Sequence, residues 1–207
     1  MFNTPSPTWL LSLGLSAGLL MQPAQAAWLA GADVPDTVEQ QGRALTLSAS
    51  GVGVKAYVFN VYVAAFYTPQ RVTTHEGLLQ AQGARRLTLR MLRDIPEDEF
   101  RQGLQETMEA EPRLARFKSQ WQSMVQSLPL TRQGLRQGDT ITLDWVPEEG
   151  LRLSFNRTPC WGPMRQPELY QALLTQWLHD DPRRSVLQVD ASPRDTGRRM
   201  ASARELR

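Results

Sequence analysis

The run Val54-Lys55-Ala56-Tyr57-Val58-Phe59-Asn60-Val61-Tyr62-Val63-Ala64-Ala65-Phe66-Tyr67 restricts this chain more than any other stretch of it. It is rich in β-branched and aromatic residues, which fit a pleated surface. Both alternating faces are mostly apolar, so the run reads as a central strand that must be covered on two sides. At about 3.3 Å per residue it would extend roughly 46 Å, so a bend or bulge is expected within it. Lys55, Asn60 and Tyr62 are its polar exceptions.

Ala44 to Ser48 and Leu87 to Leu92 read as further strands. Asp94 and Glu97 form an Asp-x-x-Glu capping pattern with Pro96 in the first turn. Phe100, Leu104 and Met108 follow at four-residue spacing on one helix face. A second helix carries Leu114, Phe117, Trp121, Met124, Val125 and Leu128 as one stripe, read as core, and ends before Pro129. Thr140 to Val146 and Leu151 to Phe155 alternate around Pro147-Glu148-Glu149-Gly150, the pattern of an antiparallel hairpin. Pro167 opens a last helix with Leu169, Tyr170, Leu173, Leu174, Trp177 and Leu178 inward. Strands and helices come in runs, which favours α+β: an antiparallel sheet with helices on one face.

Composition removes several function classes. With 23 basic and 21 acidic side chains the net charge is +2, too balanced for a nucleic-acid binder. One cysteine, Cys160, allows neither an intrachain disulfide nor a cysteine zinc site. Two histidines, His75 and His179, make a catalytic metal cage an unsuitable expectation. No phosphate-binding loop, nucleophile elbow or HExxH occurs, and no cofactor is expected. Gly51-Val52-Gly53 leads into a strand rather than a helix and reads as a turn. Glu97, Asp98 and Glu99 sit in a helix first turn, where carboxylates are favoured without any catalytic role.

The two ends differ from the middle. Residues 1–26 hold no charged side chain; Leu10 to Met21 is apolar, and Ala24-Gln25-Ala26 supplies a small-x-small cleavage pattern. This reads as a secretory signal peptide cut before Ala27, and hence a periplasmic or secreted protein. An uncleaved anchor is the alternative, because the leader lacks a basic residue. The apolar run is shorter than the roughly 17–25 residues that span a bilayer. A single domain is expected over 27–188, and 189–207 reads as a flexible tail: from Arg183 onward, seven arginines face Asp190, Asp195 and Glu205.

A strand made for burial tolerates polar groups only where they find partners, and a partner can be a ligand. Val34-Pro35-Asp36-Thr37-Val38, Lys55 with Phe59 to Tyr67, and Leu89 to Ile95 together resemble the bacterial chalcone isomerase-like family. So do Gly138 to Pro147 and Ala172-Leu173-Leu174 leading to Trp177-Leu178, so that the likeness covers about 32–188. The resemblance implies an open-faced β-sandwich, a large antiparallel sheet with a layer of helices over it. It also implies either an intramolecular lyase that closes a chalcone or a relative that binds fatty acids without catalysis.

The family's enzymes use an Arg, a Thr, a Tyr and an Asn around the substrate. By resemblance these positions fall on Lys55, Tyr62, Phe100 and Thr107. Phe100 cannot donate a proton, and Thr107 offers one donor in place of an amide. Tyr62 still donates, and Lys55 still attracts an anion as a compact charge. That pair resembles the Arg and Tyr that hold the carboxylate in fatty-acid-binding relatives. The reading is an exported, non-catalytic protein with an apolar cleft for a fatty acid or similar amphiphile, with Asn60, Phe100 and Thr107 beside the Tyr62–Lys55 pair. A lyase acting on a small phenolic compound and a partner-binding envelope protein are the alternatives.

Overall fold

The computed structural model describes residues 26–55, 59–129 and 134–189. The expected leader, apart from Ala26, and the tail beyond Val189 lie outside the described residues. The chain enters through a hairpin of β1 (Ala26–Leu29) and β2 (Ala32–Pro35). It continues into β3 (Thr37–Gln40), β4 (Arg43–Lys55) and β5 (Phe59–Thr68). A short helix α1 (His75–Leu79) precedes β6 (Arg85–Met91). Helices α2 (Glu97–Ala110), α3 (Pro112–Ala115) and α4 (Lys118–Ser127) follow. Then come β7 (Thr140–Val146), β8 (Gly150–Phe155), β9 (Thr158–Met164), α5 (Pro167–Leu174) and β10 (Gln188–Val189). Eight strands build one antiparallel sheet, ordered β10-β4-β5-β6-β7-β8-β9, with β3 also paired to β4. Helices lie on one face, the α+β open-faced arrangement expected from the order of elements.

The apolar run is not one strand. It is the end of β4 and the whole of β5, which pair antiparallel with Lys55 opposite Phe59 and Gly53 opposite Tyr62. Gly51-Val52-Gly53, expected as a turn, lies inside β4. The reason is a close approach: a Cβ on Gly53 would stand 2.2 Å from Cζ of Tyr62, so the Tyr62 ring lies over the space a side chain would fill. The expected irregularity is present as a register shift between Gly53 and Val54, and a second falls between Leu47 and Ala49.

Two-sided burial of β5 holds. Ala64 and Phe66 belong to the main core with Leu87, Leu143, Leu153 and the helix residues Leu114, Met124 and Leu173. Val63, Ala65 and Tyr67 face the other way, into a second cluster closed by Ala32 and Val34 of the β1–β2 hairpin. That hairpin is a cover the chain's first residues did not announce.

Three local expectations change. Asp94 does not cap α2; the cap position is Pro96 with no side-chain bond, and Asp94 Oδ1 instead accepts the Gln137 N–H at 2.8 Å. The second helix is broken at Arg116–Phe117 into α3 and α4, although Leu114, Trp121 and Met124 are buried as the stripe requires. The last helix ends at Leu174, and Trp177 and Leu178 pack from the turns beyond it. Strand β9 carries Pro159 and Pro163, which hid it from a pattern search.

A polar cluster ties β3 to the sheet. Asp144 receives Arg86 in a two-pronged contact, Nε at 2.7 Å and Nη2 at 2.8 Å, and Gln40 Nε2 at 2.8 Å. The Gln40 amide also reaches the Arg85 carbonyl at 3.1 Å. On the opposite face the buried Arg85 guanidinium stacks 4.8 Å from the Tyr170 ring and 5.7 Å from Trp145. Asp144→Ala leaves Arg86 and Gln40 without their shared acceptor. Urea unfolding should show a loss on the order of 3 kcal/mol; an unchanged midpoint would mean that solvent takes over these bonds.

Candidate functional site

The helix layer does not fill the space over the sheet. Between β5–β8 on one side and α2, α4 and the end of α5 on the other lies a cleft of about 380 Å³. Its sheet wall is apolar, with Leu89, Met91, Ile141, Leu143 and Leu153. Trp121, Met124, Val125 and Leu128 of the α4 region line it too, so the stripe read as core is also a cleft wall. Phe100, Gly103, Leu104 and Thr107 of α2 line it at i, i+3, i+4 and i+7, one face of a helix. None of the α2 residues whose burial is described is fully buried. Phe100, Leu104 and Met108 pack against the core only in part, and Phe100 and Leu104 also border the cleft.

Tyr62 supplies the main polar group of the cleft. Its hydroxyl accepts the Trp177 indole N–H at 3.0 Å. An indole nitrogen only donates, so the phenol is the acceptor in this pair and keeps its own proton to give. Among the described residues no acceptor takes that proton. Burial raises the Tyr62 pKa above its ordinary value, against the smaller opposing effect of the Trp177 bond. The group is therefore a neutral hydrogen-bond donor, ready for an oxygen acceptor.

The other expected site residues behave differently. Phe100 is half-buried in the cleft wall. Thr107 lines the cleft too, but its hydroxyl donates back to the Gly103 carbonyl of the preceding turn at 2.8 Å. It is spent within α2. The register sets Lys55 opposite Phe59 and Asn60 opposite Val54; both side chains lie outside the described residues. Along one sequence run Lys55 and Tyr62 differ in parity. In the hairpin they occupy adjacent strands, Lys55 opposite Phe59 and Tyr62 opposite Gly53.

Two lining carboxylates complete the rim. Glu99 is ion-paired with Arg93, and the exposed Glu106 accepts the Gln102 amide at 2.8 Å. No group of three or more His, Cys, Asp and Glu among the described residues could hold a metal. Sequence reasoning missed Gly53, Gly103 and the polar role of Trp177. The last was legible as an inward residue, but its partner lies 115 positions away.

The sequence model described as chalcone isomerase-like matches residues 26–190. No curated protein matches significantly. Among solved structures, a fatty-acid binding protein of Arabidopsis thaliana superimposes with a TM-score of 0.60 at 14% identity. The match covers 76% of this chain and 91% of that one. At that identity the likeness concerns the fold.

Burial also pushes the Tyr170 phenol well above its ordinary value. The folded state thus holds both phenolic protons more tightly than the unfolded chain. These groups leave stability unchanged below pH about 10 and lower it as pH rises beyond, because the unfolded tyrosines ionise first. An ultraviolet titration of the native protein should show Tyr62 and Tyr170 ionising late. Tyr62→Phe should remove one of the late steps.

Proposed function

Since this chain belongs to the chalcone isomerase-like family, we propose that it is a non-catalytic binding protein of that fold, which holds a fatty acid or similar single-chain amphiphile in the cleft under α2. The observation that carries the reading is the Tyr62 hydroxyl, oriented by Trp177 and left with a free proton at one side of a mostly apolar cleft. An acyl chain buried against Leu89, Met91, Ile141 and Leu143 contributes about 0.8 kcal/mol per methylene removed from water. The head group takes the Tyr62 proton as a hydrogen bond. Lys55, on the strand paired with that of Tyr62, supplies the opposite charge for a carboxylate. The Arabidopsis protein of the same fold is a fatty-acid binding protein, which supports an acyl ligand. The volume lies near the lower end of small-molecule sites, roughly 300–1,000 Å³, and suits one chain rather than two.

The same residues argue against ring closure of a chalcone. That reaction needs positioned donors where charge develops. Phe100 has none, and the Thr107 hydroxyl is committed to Gly103. Residues 1–26 are proposed as an export leader, which puts the working protein in the periplasm or outside the cell. N-terminal sequencing of the protein from its own host checks the cut before Ala27.

Isothermal titration with laurate on delipidated protein tests the reading. Tyr62→Phe removes one hydrogen bond to a charged head and should weaken binding about 10- to 150-fold. Lys55→Met should weaken it more at low salt than at high salt. Parent protein that binds no fatty acid would sink the proposal. Assayed with chalcones, the protein should show no turnover approaching the ordinary enzyme range of about 1–1000 per second.

A further inference from the structure

Gly103 lies in the middle of α2, on the stripe that lines the cleft. A glycine in a helix interior destabilises it relative to alanine, because more backbone freedom is lost on folding. A helix normally keeps one for its conformation or for a close neighbour. Neither applies here. Gly103 is absent from the residues with positive φ, and a Cβ built on it meets nothing within 4 Å. By contrast, a Cβ built on Gly53 across the cleft would stand 2.2 Å from the Tyr62 ring. What Gly103 leaves is room. The wall of α2 recedes there by one side chain, between Phe100 one turn before and Thr107 one turn after. The Thr107 hydroxyl bends back onto the Gly103 carbonyl at 2.8 Å, so the exposed peptide oxygen beside the recess is already hydrogen-bonded. An apolar group can then lie against the helix backbone without stranding a polar atom.

We infer that Gly103 is a specificity-determining residue: it opens a recess one side chain wide in which a linear alkyl chain rests directly on the backbone of α2. A methylene chain fits such a slot, whereas a planar pair of rings spans it and touches only its rims. The inference rests on the acyl-chain reading of the cleft and names the part of the ligand that this wall selects. It also accounts for the half-buried stripe of α2, since the chain adds a neighbour on the side of Phe100 and Leu104 that the core does not cover.

The test exploits two effects of opposite sign. Gly103→Ala restores helix propensity in open space, so the ligand-free protein should melt about 2–4 °C higher. The same variant, and more so Gly103→Leu, fills the recess. Laurate affinity should fall in the order Gly, Ala, Leu, with a loss of about 5- to 150-fold for Leu, the range of overpacking costs. Melting curves of each variant without ligand show that a loss of binding is not a loss of fold. Parent that binds laurate while Gly103→Leu binds it equally well would overturn the inference and leave the acyl-chain reading standing. So would a Gly103→Ala variant that melts lower than the parent, since the glycine would then serve the helix itself. Parent that prefers trans-chalcone to laurate would overturn the assignment of a linear chain. Parent that binds no laurate would sink the acyl-chain reading, and the inference with it.

Discussion

Burial of β5 on both faces is the constraint to which the rest of this protein answers. A strand with Val63, Ala65 and Tyr67 on one side and Ala64 and Phe66 on the other cannot lie at a wet surface. The side of Tyr67 is closed by a small hairpin that contributes Leu29, Ala32 and Val34 among its described side chains. The side of Phe66 is closed by helices, which are rounder and longer than the sheet residues they cover. Close fit is reached around Leu114, Leu169 and Leu173. It is not reached under α2, and the unmet contact there is the cleft. The functional space is thus a remainder of packing one face of the sheet with cylinders.

Within that space, polar chemistry is sparse by construction. Thr107 is folded onto its own helix, Glu99 is held by Arg93, and the Trp177 N–H is given to Tyr62. Each of these contacts removes one group from the set that could meet a ligand. Tyr62 ends with a proton to give because its partner can only donate. On the proposed reading, one oriented neutral donor beside mostly apolar walls meets a ligand by its end and by a length of chain.

The elements were legible where a period was carried by local residues. The β7–β8 hairpin and α2 follow from alternation and from four-residue spacing, and the resemblance to the family followed from the order of such pieces. Reading Val54 to Tyr67 as one strand failed for a specific reason. Glycine signals a turn when judged alone, and only the ring of Tyr62 crossing from the next strand makes Gly53 a strand residue. Tyr62 and Thr107 were both legible as candidates, yet their roles parted because hydrogen-bond commitments are not written in residue type. The bond from Trp177 to Tyr62 and the clasp of Asp144 on Arg86 and Gln40 join residues far apart in sequence. Such pairs carry no periodic signal.

The order of strands has a consequence for life at high concentration. An open sheet has two rims, and each is a template for another chain. On one rim lies β9, where Pro159 and Pro163 each lack the N–H that an added strand would bond. The other rim is divided between β3 and β10, four and two residues long, both laid on β4. A foreign strand arriving there meets a step rather than a continuous ladder. The protein thus keeps a wide, half-covered sheet and an apolar groove while the prolines of β9 and the short strands β3 and β10 interrupt much of its rims.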